Sequence, residues 1–257
     1  MSTVELNHRR SGAAGAPVLL LGPSLGTTLE MWTPALATLA RGHDVVRFDH
    51  RGQGGSPEPP GPYAIADLGN DVLALLDRLE LERVSYAGVS LGGMVGLWLA
   101  ANAPRRIERL VCICSSAHLP PAEAWAARAA SVRAAASVAV VADAVIARWF
   151  TPAYATAHAD AVAPIREMLE RSPPEGYAAC CEAIGALDLR SELSLIAAPT
   201  LVIAAEQDAA TPPEHSRLIA GAVAGASLHV LECGAHLAAI ECAGEVAALI
   251  ESHLEGP

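Results

Sequence analysis

The sequence lacks the marks of several functional classes, and each lack narrows the reading. No lysine/arginine cluster exceeds a pair such as Arg9-Arg10 or Arg105-Arg106, and the formal net charge is -11. The basic footprint that nucleic acid or an anionic membrane surface requires is therefore missing. Met1 to Arg10 alternates polar and apolar residues without the apolar core of a secretory signal, and no uncharged apolar run long enough to span a bilayer follows. A cytoplasmic protein acting on small molecules is expected. Neither a Walker A loop nor G-x-G-x-x-G occurs, which leaves no nucleotide site. The cysteines are Cys112, Cys114, Cys180, Cys181, Cys233 and Cys242. Without a signal peptide they read as thiols rather than a disulfide framework, and Cys112 and Cys114 suit buried positions on a strand, with no histidine at zinc-ligand spacing. No metal and no cofactor are expected. Repeats, low-complexity tails and long linkers are also lacking.

What is present is a chain of 257 residues, 52% hydrophobic and 18% charged, which suits a folded protein with one sizeable core. Short apolar runs bounded by turn residues recur at Val18-Leu21, Val45-Phe48, Val84-Ala87, Leu110-Cys114, Leu201-Ala205 and Leu228-Leu231, the pattern of buried strands. Helix-compatible stretches at Met31-Ala40, Ile65-Leu79, Leu91-Asn102, Pro213-Ala220 and Ala238-Leu254 alternate with them. That alternation predicts an α/β fold with a mostly parallel, doubly wound sheet. It breaks between about Leu119 and Asp188, where Ala-rich helical segments follow one another with Pro120-Pro121, Pro152, Pro164 and Pro173-Pro174 as punctuation. The expected organisation is a core in two parts, 1–118 and 189–257, with an all-helical cap at 119–188 over the carboxyl edge of the sheet, where open α/β sheets bind ligands.

Gly88-Val-Ser90-Leu-Gly92 matches G-x-S-x-G between the strand Val84-Ala87 and a helix that starts near Leu91, the context of a nucleophile elbow. A lone Gly-rich turn whose serine caps a helix would look alike. What separates the two is a base and an acid, because a serine hydroxyl becomes a useful nucleophile only when an imidazole takes its proton and a carboxylate holds the imidazole in the right tautomer. In this fold class the chain order is Ser, Asp or Glu, His. Asp208 and His236 follow the strands Leu201-Ala205 and Leu228-Leu231 in that order. Glu206 competes for the acid, and His50 and His118 are rival histidines, but neither occupies the last strand-to-helix loop; His229 lies within a strand. An oxyanion needs backbone donors from the residue after the nucleophile and from a loop after an early strand, which assigns Leu91 and Leu25, the latter in Gly22-Pro-Ser-Leu-Gly-Thr27.

Phe48-Asp-His-Arg-Gly-Gln-Gly-Gly-Ser56 resembles the D-x-R-G-x-G-x-S loop of the α/β-hydrolase superfamily. Within it the chain resembles the 3-oxoadipate enol-lactonases, on Ser24-Leu-Gly-Thr27 with Met31-Trp32, Gly88-Val-Ser-Leu-Gly-Gly-Met-Val95, Arg148-Trp-Phe-Thr-Pro152, Gly176-Tyr-Ala-Ala-Cys-Cys-Glu-Ala-Ile184, Asp188-Leu-Arg190 and Gly234-Ala-His-Leu-Ala-Ala-Ile-Glu241. The resemblance implies cofactor-free opening of a small carboxylated enol-lactone in aromatic-compound degradation. It also places the cap segment with Trp125 over the pocket and makes Trp149 an apolar wall. A substrate carboxylate calls for a cation, and the cap offers Arg128, Arg133, Arg148 and Arg166; Arg133, two helical turns beyond Trp125, is preferred. The sequence departs from the family in Gln53, where a histidine is common, and in an abbreviated first strand, Val4-His8. Rival readings are another capped hydrolase of the same scaffold, namely an esterase, a C-C bond hydrolase or a cofactor-free perhydrolase, or a non-enzymatic ligand receptor. Apolar cap faces leave a homo-oligomer open.

Overall fold

Strands that are apolar at nearly every position must be covered on both faces, and that condition organises the molecule. The computed structural model describes residues 2–256. Its strands are β1 (His8–Gly12), β2 (Val18–Gly22), β3 (Asp44–Phe48), β4 (Val84–Val89), β5 (Ile107–Ile113), β6 (Thr200–Ala205) and β7 (Ser227–Leu231), in a seven-stranded sheet of order β1-β3-β2-β4-β5-β6-β7. Every pairing is parallel except that of β1 with β3. Residues of β3, β4 and β6 are buried throughout. Helices α1 (Thr33–Leu39), α2 (Ile65–Arg78), α3 (Leu91–Asn102), α9 (Pro213–Ala222) and α11 (Ala243–Glu255) belong to the core. The expected α/β architecture is the one observed.

The order of the strands sets the location of a site. β3 lies on one side of β2 and β4 on the other, so the loops leaving β2 and β4 diverge, and a crevice opens at the carboxyl ends of these two strands. Gly22 and Gly88, the last paired residues of β2 and β4, stand side by side at its floor.

Between β5 and β6 the chain forms helices α4 (Ala122–Ala135), α5 (Ala139–Trp149), α6 (Pro152–Ala157), α7 (Ala159–Glu170) and α8 (Pro174–Gly185). The two ends of this insertion meet: His118 and Asp188 form an antiparallel bridge, and the Leu189 N–H donates to the Ala117 carbonyl at 2.8 Å. It is tied to the core where the Leu237 N–H donates to the Trp149 carbonyl at 3.0 Å. A second tie is Glu241, which accepts from the Thr151 hydroxyl at 2.5 Å and the Thr151 N–H at 3.1 Å.

Three elements differ from expectation. The first strand is His8–Gly12 rather than Val4-His8. Its polar residues are an edge strand half open to water, so hydrophobic periodicity does not mark it; it is held by pairing with β3 and by the Arg10–Asp44 ion pair. The stretch Met31-Ala40 divides into a 3₁₀ turn, Leu29–Trp32, and α1, with Pro34 in the first turn of α1, where proline costs no helical hydrogen bond. The last helix breaks at Cys242, whose φ of -119° and ψ of 37° separate α10 (Ala238–Glu241) from α11.

The Asp49-to-Ser56 loop is structural. The Asp49 carboxylate accepts from the Leu29 N–H at 2.6 Å, the Gly55 N–H at 2.9 Å and the Asn7 amide at 2.7 Å, knitting three segments together. Arg51 pairs with Asp71 through Nε at 2.5 Å and Nη2 at 2.7 Å, both side chains fully buried. Removing one member of such a pair leaves an uncompensated buried charge. Among the described residues no helix is long and apolar enough to cross a membrane.

Candidate active site

Ser90 stands at the turn from β4 into α3 with φ of 53° and ψ of -113°, a conformation L-residues seldom adopt outside functional sites. The turn is held by the Ser90 N–H donating to the Ile113 carbonyl at 2.9 Å and by the Ser115 hydroxyl donating to the Ser90 carbonyl at 2.7 Å. It is possible only because its flanks are glycine. A Cβ on Gly88 would lie 2.3 Å from the Gly92 carbonyl carbon, and one on Gly92 2.3 Å from the Gly22 carbonyl oxygen. The motif therefore packs α3 directly on β2 and β4, and pushes the serine side chain out at the crevice.

Asp208 and His236 come from loops after β6 and β7 and meet beside it. The His236 Nδ1–H donates to the Asp208 carboxylate, 2.9 Å from Oδ2 and 3.1 Å from Oδ1, an ionised carboxylate being an acceptor only. That leaves His236 Nε2 as the basic nitrogen. Asp208 also accepts the N–H groups of Ala210 and Thr211 at 2.8 and 2.9 Å and the Thr211 hydroxyl at 2.7 Å. Burial pushes its pKa up, but the neighbouring His236 and the Thr211 donors outweigh this and hold it below the usual value. Beneath it, burial and the Asp208 charge raise the Cys114 thiol well above its ordinary range, so it stays neutral. Ser90 and His236 both line one cavity, and the Ser90 hydroxyl makes no hydrogen bond among the described residues. Such bonds commonly tighten only around substrate.

Leu25 and Leu91 lie at the same place. Leu91 is the first residue of α3, so its N–H falls outside the helical ladder. The Leu25 N–H has no hydrogen-bond partner among the described residues, while its neighbours are fixed: the Gly26 N–H donates to Gln53 Oε1 at 3.0 Å, and the His50 Nε2–H donates to the Pro23 carbonyl at 3.1 Å. Gln53 thus clamps the loop that carries Leu25.

The cavity lies between this crevice and the helical insertion, with about 520 Å³ of empty space when the open solvent at its mouth is included. Trp125 and Trp149 are among its walls, as are Met94, Val145, Tyr177 and Ile184. Arg133 is not. Its guanidinium binds Glu175 at 2.7 Å and Glu182 at 2.5 Å, joining α4 to α8. Eight residues beyond Trp125 is about 12 Å along the helix axis, past the cavity, whereas Arg128, three residues on, shares Trp125's face. The Arg128 guanidinium sits 4.7 Å from the Trp125 ring and lines the cavity together with Arg148. Burial raises the Tyr177 phenol pKa, and Arg128 partly opposes the shift. No carboxylate lies within ion-pair distance of Arg128 or Arg148 among the described residues. Arg166 is engaged by Asp143 and Glu170 outside the cavity.

The rival candidates go elsewhere. Glu206 is exposed, His118 is bonded to the Leu187 carbonyl, and His229 lies 3.5 Å from Glu245 on the surface. Sequence reasoning missed Thr211, which the i, i+3 spacing from Asp208 in a turn could have flagged. It also missed Tyr177 as a cavity wall, although Tyr177 lies in the Gly176–Ile184 stretch on which the resemblance rests. No group of three His, Cys, Asp or Glu residues suited to a metal occurs among the described residues.

With this geometry in view, the relatives are informative. A family model for the alpha/beta hydrolase fold matches residues 17–242. The chain is 38% identical over 229 residues to 3-oxoadipate enol-lactonase 2 of Acinetobacter baylyi, covering 89% of this chain and 85% of that protein. It is 35% identical over 239 residues to the putative carbamate hydrolase RutD of Variovorax paradoxus, covering 91% and 90%. The crystal structure of the enol-lactonase from Burkholderia xenovorans LB400 superposes with a TM-score of 0.96 at 39% identity, covering 98% of this chain and 97% of that one. The elbow, the sheet order and the matched length agree, and the chain belongs to the alpha/beta hydrolase fold family.

Proposed function

We propose that this chain is a serine hydrolase that opens a small enol-lactone carrying a carboxylate, of the 3-oxoadipate enol-lactone kind. Ser90 attacks the lactone carbonyl as His236 Nε2 takes its proton, with Asp208 holding the imidazole. The Leu25 and Leu91 N–H groups receive the developing oxyanion. The tetrahedral intermediate collapses with loss of an enolate, which departs more readily than an alkoxide. The ring carbonyl remains as an acyl group on Ser90, and His236 then activates water to release it.

The observation that carries the substrate class is Arg128. In a chain with 28 acidic and 17 basic residues, this arginine faces the cavity without a carboxylate partner, stacked on Trp125. A guanidinium held there is suited to bind a ligand carboxylate in two-pronged fashion, while the tryptophans cover the ring. The names of relatives at 38% and 39% identity support the same choice. The insertion then acts as a cap, spanning 119–188 between core parts 1–118 and 189–257.

The test follows the loss of 3-oxoadipate enol-lactone absorbance with wild type and Ser90→Ala, beside a neutral aryl ester. Turnover of the lactone that vanishes in Ser90→Ala supports the reading. An enzyme that hydrolyses the aryl ester but not the lactone refutes the substrate and keeps the serine hydrolase. The likeness to putative carbamate hydrolases supports a second reading, for which a carbamate is run as an alternative substrate in the same series. Tight binding with no turnover of any of these would indicate a receptor.

A further inference from the structure

The cysteines divide into two kinds. Cys112, Cys114, Cys180 and Cys181 are buried in or beside β5 and α8, whereas Cys233 is exposed and Cys242 partly so. These last two are nine positions apart and their sulfurs lie 3.8 Å from each other. The Cys242 thiol donates to the Cys233 carbonyl at 3.5 Å and packs on Gly234, where an added Cβ would come within 2.7 Å of the sulfur. The segment they bracket contains His236. It also contains two of the ties that hold the His236 loop: the Ala235 N–H donating to Glu241 at 3.3 Å and the Leu237 N–H donating to Trp149.

We propose that Cys233 and Cys242 are an oxidisable dithiol, a modification site for a peroxide-class oxidant, whose closure into a disulfide displaces the His236 loop. Both ends sit on adaptable backbone: Gly234 has φ of +95°, and Cys242 occupies the break between α10 and α11. Peroxide reaches the exposed Cys233 first; its thiolate sulfur takes one oxygen, the O–O bond breaks, and a sulfenic acid and hydroxide result. The Cys242 sulfur then attacks the Cys233 sulfur, the S–O bond breaks, and the oxygen leaves as water with the thiol proton. One peroxide is reduced, with two thiols oxidised. Burial and the neighbouring Cys233 push the Cys242 thiol up to about 12, consistent with its acting second. A disulfide needs its sulfurs about 2.0 Å apart, so closure from 3.8 Å brings the two sulfurs together by roughly 2 Å and pulls on both ends of the loop that carries His236. Displacement of a catalytic group by about 1 Å can cost on the order of 10²-fold in rate.

The experiment treats the full chain with a small excess of hydrogen peroxide, then blocks remaining thiols. Digestion after glutamate, cutting at Glu232 and Glu241, puts Cys233 and Cys242 on separate peptides. Expected are a joined pair of these peptides, an intact mass lower by two hydrogens, and aryl-ester hydrolysis reduced about tenfold or more, reversed by dithiothreitol. Cys233→Ser and Cys242→Ser should keep the untreated rate and lose the reversible inhibition. Absence of the joined peptides overturns the site; joined peptides with an unchanged rate overturn its control of His236. The rate arm rests on His236 being the base. An untreated protein that hydrolyses no ester refutes that reading separately, while the peptide map still decides the dithiol.

Discussion

Thr211 and His236 share one carboxylate: the Thr211 hydroxyl is 2.7 Å from Asp208 Oδ2, and His236 Nδ1 is 2.9 Å from the same oxygen. The threonine oxygen is itself 3.3 Å from Nδ1. The carboxylate is therefore fixed by its own turn as well as by the histidine, so in the proposed triad the imidazole tautomer and ring orientation depend also on Thr211, which itself lines the cavity.

Asp208→Asn should lower kcat by roughly 10⁴-fold, the loss that accompanies a wrong imidazole tautomer. Thr211→Ala should cost far less, on the order of tenfold, through one lost hydrogen bond to a charged group, and Thr211→Ser should recover most of it. Steady-state kinetics on an aryl ester decides; equal losses in Thr211→Ala and Thr211→Ser would show that the methyl group, not the hydroxyl, matters.

Arg128→Gln is expected to raise KM for a carboxylate-bearing lactone by about 10- to 100-fold, the worth of a charged hydrogen-bonded contact, and to leave neutral aryl esters nearly untouched. Arg133→Gln should leave both KM values alone and lower the melting temperature, since it loosens α4 from α8. A reversal of these two patterns would return the carboxylate site to Arg133.

Stability should fall on acidification in a window set by His50. Burial holds its pKa down at about 4 against an ordinary 6.5, so below pH 6.5 the unfolded chain binds a proton that the folded one refuses. Stability is complete above 6.5 and declines until about 4, by an amount on the order of 3 kcal/mol. Urea unfolding across this range reads the slope, which His50→Gln should reduce, leaving the share of His215 and His253, whose pKa values burial also lowers. Asp208, whose pKa is lowered, contributes stability above the unfolded carboxyl pKa that is lost as pH falls through its folded value, a separate and more acidic window.

Gly92→Ala should abolish ester hydrolysis, because its Cβ would stand 2.3 Å from the backbone oxygen of Gly22 and force α3 off the sheet. Gly221→Ala, with open space at the same atom, is the matched control and should retain wild-type rate and melting temperature.

Much of this was legible along the chain. β2 to β6 announce themselves as apolar runs because a parallel sheet covered on both faces demands them, and the elbow is readable because only glycine allows the close approach of α3 to β2 and β4. β1 was misplaced because an edge strand of polar residues has no such constraint, and its register is fixed by β3, more than thirty positions away. Arg133 was preferred over Arg128 for a similar reason. Both lie on α4, and only the position of α8, with Glu175 and Glu182, shows which one is already neutralised.

The sequence by itself determined the class of fold, the strand-to-helix turn at Ser90 and the order in which Asp208 and His236 follow it, because these depend on local hydrophobic pattern, glycine sterics and chain order. Only the tertiary structure decided which side chains meet: Thr211 on the acid, Gln53 on the loop of Leu25, Arg128 in the cavity, Cys233 against Cys242. Those pairings are made through space between separate loops and helices, where burial and charge depend on partners that no local stretch of sequence contains.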